Sequence, residues 1–142
     1  MANILLNKIK VEEKKEDVKL FTLFIINNTK ENIFSHLDLE FEVSNINDNC
    51  IFIYSRHINA TDKVEKLSLI FPELVFYCVS ATYEDVRALF VFKEVIKEGK
   101  IIEKNYPLDE SIEAYEIFFE VYPDSKVDYV FKNGNYIYNG WK

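Results

Sequence analysis

Two histidines, two cysteines and two arginines stand among 142 residues, and their spacing decides which chemistry is open to the chain. A zinc site needs three or four His, Cys or carboxylate ligands at tight local spacing. His36, His57, Cys50 and Cys78 form no CxxC or HxxxH pattern, so no metal and no other cofactor is expected. A Cys–His nucleophile pair needs a thiol whose pKa is lowered, for example at a helix start, and neither cysteine is so placed. The acidic pairs Glu12-Glu13, Glu16-Asp17, Glu84-Asp85 and Asp109-Glu110 fall at turns or helix starts, where carboxylates stabilise free amides and the macrodipole. We read them as structural rather than as acid–base pairs. Glycines at 99, 134 and 140 make no phosphate loop. No catalytic residue is assigned, and the chain is expected not to be an enzyme.

Recognition chemistry is better represented. Arg56 and His57 end a strand beside aromatic residues, and an arginine there could fork onto a phosphate or carboxylate. Arg87 begins a later strand and could join it; the plainer account makes both ordinary surface arginines. Tyr129, Tyr136, Tyr138 and Trp141 cluster near the C-terminus, and Tyr and Trp dominate interface hot spots. The same tyrosines could instead serve the hairpin itself, with Phe131 facing Tyr136 and Tyr129 facing Tyr138. These seven are the candidate partner- or ligand-binding residues.

The elements that must position them follow from periodicity. Asn7 to Val11 reads as a strand. Asp17 opens a helix with Val18, Leu20, Phe21, Phe24 and Ile25 on a broad apolar stripe, stopped at Asn27-Asn28-Thr29-Lys30. Phe34 to Val43 alternates with Leu37, Leu39, Phe41 and Val43 inward, which suits one half-buried strand or an extended arm. Asn45 to Asn49 reads as a polar loop. Cys50 to Gly99 then runs strand, helix, strand, strand, the helix capped by Thr61 or Asp62 and ended by Pro72. A hairpin turns at Glu98-Gly99 into KIIEKN, and Asp109 to Val121 forms a third helix. Asn133-Gly134 supplies the positive φ angles of a type I′ turn in a terminal hairpin. The reading is α+β: a ferredoxin-like β-α-β-α-β-β core over about residues 1–105, with a C-terminal helix and β-hairpin extension over 106–142, all one domain.

The central strands are apolar on both faces, Cys50, Phe52 and Tyr54 alternating with Ile51 and Ile53. Helices on one side leave the other face to be covered, by the C-terminal helix and hairpin or by a second subunit or another protein. Composition is globular, 49% apolar and 15% aromatic with three Gly and three Pro, and no apolar run reaches the length of a membrane span. Without an evident signal peptide and with unpaired cysteines, a cytoplasmic location is expected. The net charge of −7 argues against direct nucleic-acid binding and favours a basic protein partner, including a nucleic-acid-binding groove, if the charge does more than aid solubility.

Two segments carry a family resemblance. The opening MANILLNKIKVEEKKEDVKLF and the stretch VEKLSLIFPELVFYCVSATYEDVRALFVFKEVIKEGKII together resemble the YubB-type ferredoxin-like family of plasmid and phage proteins, over roughly residues 1–27 and 50–102. The resemblance implies a ferredoxin-like core and a mobile-element origin, and brings no catalytic residues with it. The expected function is a non-enzymatic accessory protein of a phage or plasmid acting by stoichiometric binding. Its most concrete form is inhibition of a host defence complex, as anti-CRISPR proteins do. The alternative is a protein that binds or sequesters a small ligand such as a nucleotide, and homodimerisation is compatible with either.

Overall fold

The computed structural model describes residues 4–36, 39–47, 49–56, 60–82, 91–108 and 111–139, and of residues 4, 44, 45, 47 and 56 the backbone alone. Strand β1 (Ile4–Glu12) leads into α1 (Lys15–Asn27), a short pair β2 (Thr29–Lys30) and β3 (Ile33–His36), then β4 (Leu39–Asn47) and β5 (Cys50–Arg56). Next come α2 (Thr61–Ile70), β6 (Val75–Thr82), β7 (Val91–Lys97), β8 (Lys100–Asn105) and α3 (Ile112–Val121). A 3-10 turn (Pro123–Asp128) and the hairpin β9 (Tyr129–Lys132) and β10 (Asn135–Tyr138) complete the described chain.

The first eight strands form one antiparallel sheet in the order β2-β3-β4-β5-β1-β6-β7-β8. That is α+β as expected, but the sheet has twice the strands of a simple ferredoxin-like core, and the element order β-α-β-α-β-β is corrected. Phe34 to Val43 is not one strand but parts of two, β3 and β4, paired so that Phe34 stacks on Phe41 at 4.6 Å. β4 runs through the supposed loop to Asn47 and pairs with β5, adding a full strand between α1 and β5. The alternation in this stretch was legible; the pairing partner was not, because pairing is non-local.

α1 and α2 cover one face of the sheet. Beneath them Ile9, Val11, Ile51, Ile53, Phe76 and Ile96 meet Phe21, Ile25, Val64 and Leu67 in one buried cluster. Phe21 stands edge-on to both Phe71 and Phe76, at 5.3 and 5.4 Å. The α1 stripe is narrower than its sequence suggests: Leu20 is 59% exposed. Two side chains close the C-terminal end of α1, Asn28 Nδ2 donating to the Phe24 carbonyl at 2.8 Å and Thr29 Oγ1 to that of Ile25 at 2.6 Å.

α3 covers the other face. Ala114, Tyr115, Ile117, Phe118, Phe119 and Val121 pack on Leu6, Val79, Ala81 and Val91. The two-sided apolarity of the central strands therefore has an intramolecular cover in the C-terminal segment. Ser111 caps α3 by accepting from the Ala114 amide at 3.1 Å. Both expected glycine turns form, with Glu98 and Gly99 at φ 51 and 76, and Asn133 and Gly134 at φ 55 and 78.

Candidate functional site

The terminal hairpin is amphipathic across its thickness. Its register is Tyr129 opposite Tyr138, Val130 opposite Ile137 and Phe131 opposite Tyr136. On one side Tyr129 and Tyr136 lie against α3: Tyr129 is 5.4 Å from Tyr115 and 5.3 Å from Phe119, and Tyr136 is 5.6 and 5.1 Å from the same rings. Tyr138 stacks edge-on to Tyr129 at 5.4 Å. Tyr129 and Tyr136 thus dock the hairpin onto α3, and Tyr138 backs Tyr129 from within the hairpin. Its outward side carries what sequence reasoning passed over, Val130 and Ile137, 44% and 48% exposed, while Phe131, 58% exposed, shares the side of its partner Tyr136, 5.0 Å away. The alternation around Asn133-Gly134 is the signal that separates the two sides, since cross-strand partners share a face.

α3 carries charge on the surface that it does not bury. Glu113, Glu116 and Glu120, spaced three and four residues apart, are exposed along the helix surface that the core does not use. Glu120 pairs with Lys93 at 3.1 Å, and Glu113 accepts from Asn105 at 2.5 Å. Arg56 is the last residue of β5. His57, Arg87 and Trp141 lie outside the described residues. His36 ends β3 and packs edge-on to Phe24 at 4.9 Å.

A second polar feature lies inside the sheet, where inward positions of otherwise apolar strands hold Asn7, Ser80, Thr82 and Glu94, all buried. The Glu94 carboxylate accepts hydrogen bonds from the Thr61 and Tyr106 hydroxyls, the latter at 2.6 Å. Thr61 does not cap α2. The N-cap is Ala60, which offers no side chain, and the Glu94 carboxylate stands at that helix start instead, where the macrodipole favours negative charge. Partial burial, the hydrogen bond and the Glu94 charge push Tyr106 up to about 12. Burial raises both thiols above their ordinary value; the charge of Glu94 adds to it at Cys78, while Lys8 and Lys10 oppose it at half-buried Cys50. The sequence signal for this cluster was a polar residue at an inward position of each strand (ILLNKIK, VFYCVSAT, VFKEVIK).

A surface groove of about 770 Å³ runs between the end of β1 and α1, with Val11, Val18 and Leu23 among charged Glu12, Lys15 and Lys19. Among the described residues no three His, Cys, Asp or Glu side chains gather as a metal site would need, and no helix is long and apolar enough to cross a membrane. Compared with known proteins, the chain matches no family model, no curated protein and no solved structure.

Proposed function

We propose that this is a non-enzymatic protein that works by stoichiometric binding of another protein, through the outward face of the terminal hairpin, aided by the acidic surface of α3. The observation that carries the reading is the exposed apolar pair Val130 and Ile137 on the side of the hairpin opposite the tyrosines that pack on α3. Contiguous exposed apolar side chains cost solubility, and a chain that keeps them gains when a partner covers them. Glu113, Glu116 and Glu120, within a net charge of −7, favour a partner with a basic surface. Occlusion of a basic nucleic-acid-binding groove, in a host defence complex of the kind that anti-CRISPR proteins inhibit, is the form we put to test.

The mobile-element resemblance of the first 27 residues and of residues 50–102 is compatible with this role. So is the connectivity β1-α1-β4-β5-α2-β6 with sheet neighbours β4-β5-β1-β6, which supports a ferredoxin-like core extended at both edges. The test begins with affinity capture of the tagged chain from a host lysate. The complex is then challenged with Val130→Glu/Ile137→Glu and with Glu113→Gln/Glu116→Gln/Glu120→Gln. Loss of the complex with the first variant, and a weaker salt dependence with the second, are expected. Unchanged binding in both, or a captured partner that still takes up its nucleic acid, refutes the occlusion mechanism.

A further inference from the structure

α3 covers one end of its side of the sheet and leaves the other end open. Leu6, Val79, Ala81 and Val91 pack under the helix. The next positions on the same side of β1, β6 and β7 are Lys8, Lys10, Tyr77, Lys93, Val95 and Lys97. Tyr77 is 37% exposed, Lys10 is exposed, and Lys8, Lys93 and Lys97 are half-buried. A depression of about 370 Å³ adjoins them where β7 pairs with β8, bounded by Lys93, Val95, Glu103, Lys104 and Asn105.

The register arranges these side chains around the tyrosine. Lys10 and Val95 stand directly opposite Tyr77 on the flanking strands, and Lys8, Glu12, Lys93 and Lys97 occupy the diagonal positions, roughly 7–8 Å away. Four lysines and one glutamate thus ring an aromatic side chain, in a protein whose acids outnumber its bases 24 to 17. Acids border the patch without filling it: Glu12 pairs with Lys10 and Glu120 with Lys93, each at 3.1 Å, and Glu103 lies beyond Val95. Both pairs are open to solvent, and such pairs exchange partners at little cost. Lys8 and Lys97 belong to no ion pair among the described residues, and Lys97 donates to the Pro72 carbonyl at 3.3 Å. Solvation accounts for polar residues on an open antiparallel face, but not for their common sign or for a tyrosine at their centre.

We infer that this open sheet face binds single-stranded nucleic acid, one base stacking on Tyr77 and the flanking phosphates meeting Lys8, Lys10, Lys93 and Lys97. An unpaired strand offers both things the surface can use, aromatic base faces and a charge on every nucleotide. A duplex hides its base faces, and an acidic peptide brings charge without a ring to stack, so neither engages Tyr77. The depression between β7 and β8 gives a neighbouring nucleotide room beside the tyrosine. On binding, phosphates take the place of the Glu12 and Glu120 carboxylates at Lys10 and Lys93. The net charge of −7 opposes the approach of any polyanion, so the expected affinity is modest and rests on the local charge.

Fluorescence anisotropy of labelled single-stranded DNA and RNA oligomers of about ten nucleotides, titrated with the purified full chain at about 50 mM salt, tests the surface. Saturable binding is expected for at least one of them, with at least about tenfold weaker binding of a duplex and of an abasic strand of the same length. Tyr77→Leu is expected to weaken binding about tenfold, the loss of one stacked base, whereas Tyr77→Trp keeps it. Lys8→Gln/Lys10→Gln/Lys97→Gln is expected to lower the slope of log affinity against log salt by about two, three phosphate contacts at about 0.7 each. Lys66→Gln/Lys126→Gln, which removes exposed lysines elsewhere, leaves binding unchanged. No saturable binding of either oligomer, an equal loss with the Lys66/Lys126 variant, or unchanged affinity in both Tyr77→Leu and the abasic strand overturns the inference. Displacement of the oligomer by poly-glutamate at equal charge identifies a surface for acidic proteins and overturns it too. None of these outcomes bears on the hairpin surface.

Discussion

Tyr106→Phe isolates one hydrogen bond with little else disturbed. The ring stays on Phe92, 5.3 Å away, and only the hydroxyl that donates to Glu94 at 2.6 Å is removed. A hydrogen bond to a buried charged group contributes about 1.5–3 kcal/mol. Tyr106 is 51% exposed, however, and water competes for its hydroxyl, so a value below that range, about 1 kcal/mol, applies. Proton linkage gives an independent figure. A rise from the ordinary 10 to about 12 corresponds to about 2.7 kcal/mol before screening, and discounting for exposure leaves about 1 kcal/mol. The sign is that of a raised pKa in the folded state: the proton is held more tightly when folded, so the stabilisation is complete below pH 10 and is lost as pH rises through 12. Urea unfolding of the two proteins side by side is the assay, because titration of the other tyrosines and the lysines cancels in their difference. Expected is a gap of about 1 kcal/mol at pH 7 that closes between about pH 10 and 12. A gap under about 0.3 kcal/mol at pH 7, or one that persists unchanged at pH 12, refutes the reasoning.

The two turn glycines should differ in cost. Both hold positive φ, but a Cβ on Gly99 would stand 2.7 Å from Leu69 Cδ2, whereas Gly134 has open space around it. Gly99→Ala is expected to cost about 2 kcal/mol and Gly134→Ala about 1, read from urea midpoints, and equal costs would show that Leu69 yields freely. The cysteines should differ in reactivity: at pH 8 a thiol reagent labels half-buried Cys50 slowly and leaves buried Cys78 untouched until denaturant is added. Labelling of native Cys78 at the rate of Cys50 would mean that the sheet opens locally around Glu94.

Local signals were read correctly where local chemistry decides the outcome. Asn133-Gly134 and Glu98-Gly99 demand positive φ, and both turns form as expected. Pro72 follows α2 and its C-cap Phe71, as expected, whereas α3, expected from Asp109, starts at Ile112 behind the Ser111 cap, a local signal that was passed over. Failures came where a partner far along the chain wins. Thr61 looked like a cap but spends its hydroxyl on Glu94, 33 residues away, and β4 was hidden because its pairing with β5 is not written in either segment alone. Among the candidate residues, the hairpin tyrosines were visible as a cluster, but which side of the hairpin meets α3 was not.

The amino-acid sequence by itself determined the class of the protein, the positions of its helices and glycine turns, and the absence of any local catalytic or metal motif. Periodicity, proline stops and turn residues act within a few positions and so are legible there. Only the tertiary structure decided that the second sheet face is covered by α3, that the hairpin tyrosines point inward and Val130 and Ile137 outward, and that Asn7, Ser55 and Ser80 join in one hydrogen-bonded chain. The reason is physical: strand order and helix docking are set by burial of apolar area between segments remote in the chain, a quantity that no single segment carries.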